Sequence, residues 1–220
     1  MPQSLSGREV AYEYIRTNIL PDPALQGSFI SEEEIALRAG VSRTPVREAL
    51  IMLGTENLVR LVPRRGVFVS APTSKEIHEL IQFRSVLERC AIDNAVERRN
   101  VDIEGMEQLL TCQMQLLTGS VNATEFIRLD FRFHLTLIEA VDNSLIKKSY
   151  ESLQSQQLRV GALAVFGDES RRAHVLDEHR QIVDALRLGN REALEEVIDR
   201  HLAHSLESML LLHPHHTGVY

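Results

Sequence analysis

Val41-Ser42-Arg43-Thr44-Pro45-Val46-Arg47-Glu48-Ala49-Leu50 reads as the opening of a short helix, basic on one side and apolar on the other. Ser42 is a candidate N-cap, with a hydroxyl that accepts from a backbone N–H of the first turn. Pro45 falls in that turn, where a missing N–H costs little. Val46, Ala49, Leu50 and Leu53 recur at helical spacing and form the inward face. Arg43, Thr44 and Arg47 lie elsewhere on the cylinder, near its N-terminal end. In a helix-turn-helix unit the N-terminal residues of the second helix reach the base edges. Arginine suits that position because its planar fork donates two bonds to guanine. An ordinary amphipathic surface helix also carries two arginines, so the neighbouring segments decide.

Upstream, Ser31-Glu32-Glu33-Glu34 has the spacing of a capping box. Ile35, Ala36 and Leu37 follow, and Gly40 is a natural helix stop. Two short helices joined by a tight turn match the helix-turn-helix signature. Residues 7–20 form another helical pattern, with Val10, Tyr14, Ile15 and Ile19. Downstream, Leu58–Val62 and Val67–Val69 read as two strands, with Pro63-Arg64-Arg65-Gly66 as the turn between them. The order of three helices and a hairpin predicts a winged helix-turn-helix domain over residues 1–72, with arginines at the wing tip.

Segment 30–70 resembles the GntR family of bacterial transcription regulators, through Val41–Leu50 and Arg64-Arg65-Gly66-Val67-Phe68-Val69. The resemblance implies that Arg43, Thr44, Arg47, Arg65 and Gly66 contact double-stranded operator DNA. Some relatives place a DNA-touching arginine in the preceding helix. Glu32-Glu33-Glu34 occupies that stretch here, so this contact is expected to be absent.

The chain has 220 residues and a net charge of −7, which at first argues against DNA. Its distribution matters more than its total. Residues 1–72 hold 8 basic and 8 acidic side chains, so the excess acid lies behind them. Within 38–65, six arginines face only Glu48 and Glu56. A locally basic reading surface on an acidic body predicts strong salt dependence of binding. No apolar run approaches the roughly 20 residues that cross a membrane. Met1 to Gly7 are polar and show no signal-peptide core. Cys90 and Cys112 have neither metal-type nor redox-type spacing. A reducing cytoplasm is the expected location.

Ala71-Pro72-Thr73-Ser74 is a polar break, and residues 73–220 form the second expected domain. Ser74 caps a helix to about Arg99. Further helices are expected at about 102–118 (ending at Gly119), 122–141, 144–165, 170–188 and 191–211. Gly167-Asp168 and Gly189-Asn190 mark the last breaks. Six helices predict an antiparallel bundle, making the fold mainly α. The tail His213-Pro214-His215-His216 reads as an unstructured polar terminus.

Polar residues interrupt three apolar stripes. One stripe is Ile127, Asp130, His134, Ile138 and Val141; another is Val175, His179, Ile182 and Leu186; the third is Leu194, Ile198 and His201. A buried carboxylate is costly unless paired or bound to a metal. Asp130 and His134 are four residues apart, on one helix face. His179 and His201 each lie 11 residues from Asn190, so an antiparallel hairpin puts them at one height. Alone, each such histidine would read as a hydrogen-bonded core residue. Together the four read as a divalent-metal site, with zinc first and nickel, manganese or iron behind it. His78, His174 and His204 lack this support.

The same four residues, with Glu178 before His179, resemble the C-terminal FCD domain of FadR-type GntR regulators. Six helices point to the VanR-like branch rather than the seven-helix one. The resemblance implies a metal held by one Asp and three His, a small organic acid as effector, and a homodimer on a short inverted repeat. On a six-coordinate ion, four protein ligands leave two positions for water or a carboxylate. Arg84, on a stripe with Ile77, Ile81, Ala91 and Ala95, is the first candidate to grip that acid; its competing reading is a pair with Glu88. Arg159, beside Ser152 and Gln156, is the second candidate. The expected function is a transcription repressor, not an enzyme. The alternatives are a regulator for which the ion itself is the signal, and a metal-dependent hydrolase using Glu178.

Overall fold

Caps set the helix starts of the N-terminal unit. The computed structural model describes residues 5–117, 122–167 and 169–212. Ser6 accepts from Glu9 N while the Glu9 carboxylate accepts from Ser6 N, opening α1 (Gly7–Tyr14), which runs on into a wider π turn, Ile15–Ile19. Ser31 accepts from Glu34 N at 3.0 Å and opens α2 (Glu32–Ala39), which Gly40 ends at φ 68°. Only half of the expected capping box forms, because the Glu34 carboxylate pairs with Arg38 instead.

α3 (Arg43–Thr55) starts after Ser42, but the Ser42 hydroxyl makes no cap bond, contrary to expectation. Pro45 explains this. It occupies the third helical position, where the cap would find its donor, and proline has no N–H. Val46, Ala49, Leu50 and Leu53 are buried as the spacing predicted. The wing is β2 (Val59–Val62) and β3 (Gly66–Val69), antiparallel, with Val62 opposite Gly66. A third strand, β1 (Phe29–Ile30), pairs with the other edge of β3, giving the order β1-β3-β2.

The chain divides into Met1–Pro72 and Thr73–Tyr220. The second unit opens on α4 (Ser74–Arg98), whose cap is Thr73 rather than Ser74. Thr73 and Glu76 satisfy each other's backbone N–H groups in a full capping box. α5 (Ile103–Leu116), α6 (Ala123–Glu139) and α7 (Ser144–Glu151) start after Asp102, Asn122 and Asn143, each accepting from a first-turn N–H. α8 (Gln154–Gly167), α9 (Glu169–Leu188) and α10 (Arg191–Leu212) complete it.

Seven helices therefore stand among the described residues of this unit, not six. The segment expected as one helix over 144–165 is α7 and α8, separated at Ser152-Leu153. There the Ser152 hydroxyl donates to Ser149 O at 2.7 Å, and Leu153 N turns back to Tyr150 O. Such side-chain bonding to the preceding turn competes with the helix ladder. The six-helix ground for the VanR-like branch goes with that break. The core is apolar side chains from all seven helices, such as Ile92, Met106, Phe133, Tyr150, Val160, Ile182 and Ile198. The expected helix end at Gly119, the Asp168 part of the next break, and the histidine tail lie outside the described residues. No helix among the described residues is long and apolar enough to cross a membrane.

Candidate metal centre and nucleic-acid interface

α6, α9 and α10 carry Asp130, His134, His179 and His201 into one buried site. One potential ligand atom from each lies within 4.8 Å of all the others. The three imidazole rings stand 4.9–5.1 Å apart between centroids. Phe133 stacks on His179 at 4.1 Å and fixes that ring's plane.

Each imidazole is held from behind through Nδ1. His134 Nδ1 is 3.0 Å from Glu88 Oε2, His179 Nδ1 is 3.1 Å from Gln113 Oε1, and His201 Nδ1 is 2.8 Å from Glu178 Oε2. The three Nε2 atoms are buried and make no hydrogen bond. His179 Nε2 stands 3.4 Å from Asp130 Oδ1, an ion-pair distance, without making a hydrogen bond. Buried polar atoms almost always find partners. Nitrogens oriented by carboxylates and an amide, and orphaned on their inner side, fit a divalent cation among them. A hydrogen-bonded core histidine does not leave this pattern.

The electrostatics agree. Burial, the largest effect, pushes the His201 pKa down to about 3 against the pull of Glu178, and it lowers that of His179 against Asp130. Both imidazoles are thus held neutral, the form that ligates metal. Burial by itself would raise the Asp130 pKa. The His179 contact and the neighbouring His134 and Arg84 hold it well below the usual carboxylate range, so Asp130 is an anion.

Arg84 makes the Glu88 pair of its competing reading. It is 2 % exposed, and its Nε donates to Glu88 Oε1 at 2.9 Å. Its Nη2 is buried without a hydrogen-bond partner, and the residue lines a small chamber together with Asp130. Glu88 also accepts from the Tyr150 hydroxyl at 3.1 Å, so one carboxylate joins Arg84, Tyr150 and His134. Arg159 is not brought into this group. It is buried against Glu76 at the start of α4, at 3.3 Å. Three residues were missing from the sequence reading: Glu88 as a histidine support, Gln113, and Arg171. Gln113 had one local signal, an amide amid the apolar face of α5.

In the N-terminal unit, Arg43, Thr44 and Arg47 are exposed at the start of α3, as a reading helix requires. Arg43 forms an ion pair with Glu33 of α2. Arg65 lies 4.5 Å over the Phe29 ring, and Arg60 lies 4.7 Å over Phe68. The two rings touch at 5.2 Å, so β1 and β3 supply an aromatic floor for the wing's cations. Gly66 has φ 97°, and a Cβ there would stand 2.8 Å from Ile30 O. Only glycine fits this approach of β3 to β1.

Comparisons with known proteins bear on both units. Residues 8–69 match the bacterial regulatory proteins of the gntR family, and residues 79–204 match the FCD domain. The gluconate operon transcriptional repressor of Bacillus subtilis is 31% identical over 87% of this chain and 79% of that protein. The HTH-type transcriptional repressor RspR of Escherichia coli is 28% identical over 90% of this chain and 86% of its own length. A putative GntR regulator from Rhodococcus superposes with a TM-score of 0.79 at 26% identity, covering 96% of this chain and all of the other. These relatives are transcription regulators, not enzymes. The chain belongs to the GntR family of transcription regulators and carries an FCD domain behind its winged helix-turn-helix.

Proposed function

We propose that the protein is a transcription repressor whose hold on its operator is controlled by a small organic acid bound at a metal site in the FCD domain. Asp130, His134, His179 and His201 hold the ion, and Glu88, Gln113 and Glu178 orient the imidazoles. The ion, zinc first in order of fit and otherwise nickel, manganese or iron, supplies a positive centre for a carboxylate. Arg84 Nη2 is the cation that grips that carboxylate. Arg43, Thr44 and Arg47 read the major groove, while Arg65 and the turn at Gly66 follow the phosphate backbone or minor groove. A homodimer on a short inverted repeat in double-stranded DNA fits a winged helix-turn-helix reader. The repressor sign follows relatives named as repressors, one of them for the operon of an organic acid, gluconate.

The observation that carries this reading is the set of three buried, unpartnered Nε2 atoms facing Asp130. The acid changes operator affinity only by the difference in its own affinity for the DNA-competent and DNA-incompetent states. The test is operator binding by the metal-loaded chain, with and without a panel of organic acids, repeated after chelation. An acid effect that vanishes on chelation supports the reading. An exchangeable ion that alone switches operator binding supports the ion-as-signal alternative. Metal-free protein with an unchanged acid response overturns the metal's part.

A further inference from the structure

The arginines of the N-terminal unit are held in two different ways. Arg43 on α3 is tied to the Glu33 carboxylate. Arg65, in the wing turn, makes no ion pair among the described residues, and its guanidinium lies over the Phe29 ring instead. The chemistry of the two restraints differs. A carboxylate occupies the N–H donors that a DNA phosphate would use. A ring face attracts the cation and leaves the donors around its edge unspent.

Local sequence builds the seat for Arg65. Arg65 N donates to Val62 O at 3.1 Å and closes the turn, with Pro63 and Arg64 between them and Arg64 at φ 64°. Proline first and a positive φ second is the pattern of a type II turn. Gly66 follows, and its missing Cβ lets β3 come close to Ile30 O of β1. β1 alternates as a strand does. Ile30 enters the core, whereas Phe29 is 39 % exposed on the outer face. In register, Phe29 stands opposite Phe68, and Phe68 opposite Arg60. The two rings meet at 59°, and Arg60 covers the second of them. Phe68 therefore braces Phe29 from the side, and the Phe29 ring is left to serve the outer face rather than the core.

We propose that Phe29 is a positioning residue for DNA binding: its ring holds the Arg65 guanidinium in place before DNA arrives, with the N–H donors free for a phosphate oxygen. An exposed arginine that is ordered only on contact loses its rotamer freedom at that moment, which weakens binding. Arg65 is ordered beforehand. This rests on the reading of Arg65 as a DNA contact and names the side chain that sets its geometry. Arg64, its neighbour, has no ring contact or ion pair among the described residues and is the control.

The test is fluorescence anisotropy on the full chain, with a duplex that the parent chain has selected from random-sequence DNA. Phe29→Leu keeps an apolar side chain on β1 and removes the ring. It weakens binding about two- to fivefold, the range of an exposed cation–π contact. Phe29→Tyr keeps the ring and the parent affinity. The Phe29→Leu loss disappears when Arg65→Ala is already present and persists in full beside Arg64→Ala. A wing that was merely loosened would lose affinity on both backgrounds. Phe29→Leu binding as tightly as the parent or tighter, Phe29→Tyr losing as much as Phe29→Leu, or a Phe29→Leu loss that survives Arg65→Ala, overturns this proposal alone. Arg65→Ala binding as tightly as the parent removes Arg65 from the DNA contacts and overturns that part of the functional reading, and this proposal with it.

Discussion

Glu33 and Arg43 form an ion pair across the turn from α2 to α3. The pair ties an arginine at the start of α3 to the acidic first turn of α2. Both side chains are well exposed, at 76 % and 62 %, so the pair is screened and contributes about 0.2–1 kcal/mol. On the proposed reading, DNA displaces Glu33 when it engages Arg43. Glu33→Gln is expected to tighten operator binding about two- to fivefold at low salt, fading as salt screens the surface. Fluorescence anisotropy at two salt concentrations measures it; no gain at low salt would take Arg43 out of the contact set.

Arg47 is exposed one turn further along α3 and forms no ion pair among the described residues. Arg47→Ala is expected to weaken operator binding by about 1–3 kcal/mol, more against the true operator than against random DNA. Equal loss on both sequences would make Arg47 a phosphate contact rather than a base reader.

Gly66 predicts a stability effect at the wing. Alanine there meets Ile30 O and carries a positive φ that side chains avoid. Gly66→Ala is expected to destabilise the protein by about 1–3 kcal/mol and to detach β1 from β3. A melting temperature equal to that of the parent chain would show that the wing tolerates the methyl.

The metal centre predicts linkage between occupancy and stability. An ion that binds only the folded chain stabilises it, by about 4 kcal/mol when present at a thousand times its dissociation constant. Chelation should lower Tm, and added zinc should restore it. His179→Ala should hold less metal in elemental analysis. A fully loaded mutant would strike His179 from the ligand set.

Arg84 predicts a larger cost than a surface arginine. Arg84→Ala leaves the Glu88 carboxylate buried with only Tyr150 and His134, and should cost about 3–5 kcal/mol. Arg84→Lys keeps the charge and loses the fork, so it should retain more stability while losing the grip on the acid. Urea unfolding of both variants checks this; equal stabilities would mean that Glu88 does not need a cation.

The winged helix was legible because its signals are local. Gly40, the Val46–Leu53 spacing and the turn at Pro63–Gly66 each act within a few residues. The convergence of Asp130, His134, His179 and His201 was legible for a second reason: helical period and the symmetry of His179 and His201 about Asn190 place side chains without a structure. What the sequence hid depends on distant chain. β1 has two residues and exists only because β3 offers an edge. The hydrophobic period runs through Ser152-Leu153, so nothing local announced the break between α7 and α8. Gln113 reaches His179 from 66 residues away, and Arg159 finds Glu76 across 83. No periodicity encodes such pairs.

Gly161 on α8 sits against Ile127 of α6, where an added Cβ would approach Ile127 Cδ1 to 2.9 Å. Ile127 is a wall of the chamber, and its terminal methyl is free to rotate where backbone is not. One methyl gained at 161 therefore presses first on the apolar wall of the chamber, where its nearest neighbours are all Ile127 carbons. An apolar contact between two helices thus sets the volume of a space whose other walls include the charged Arg84, Asp130 and Arg171.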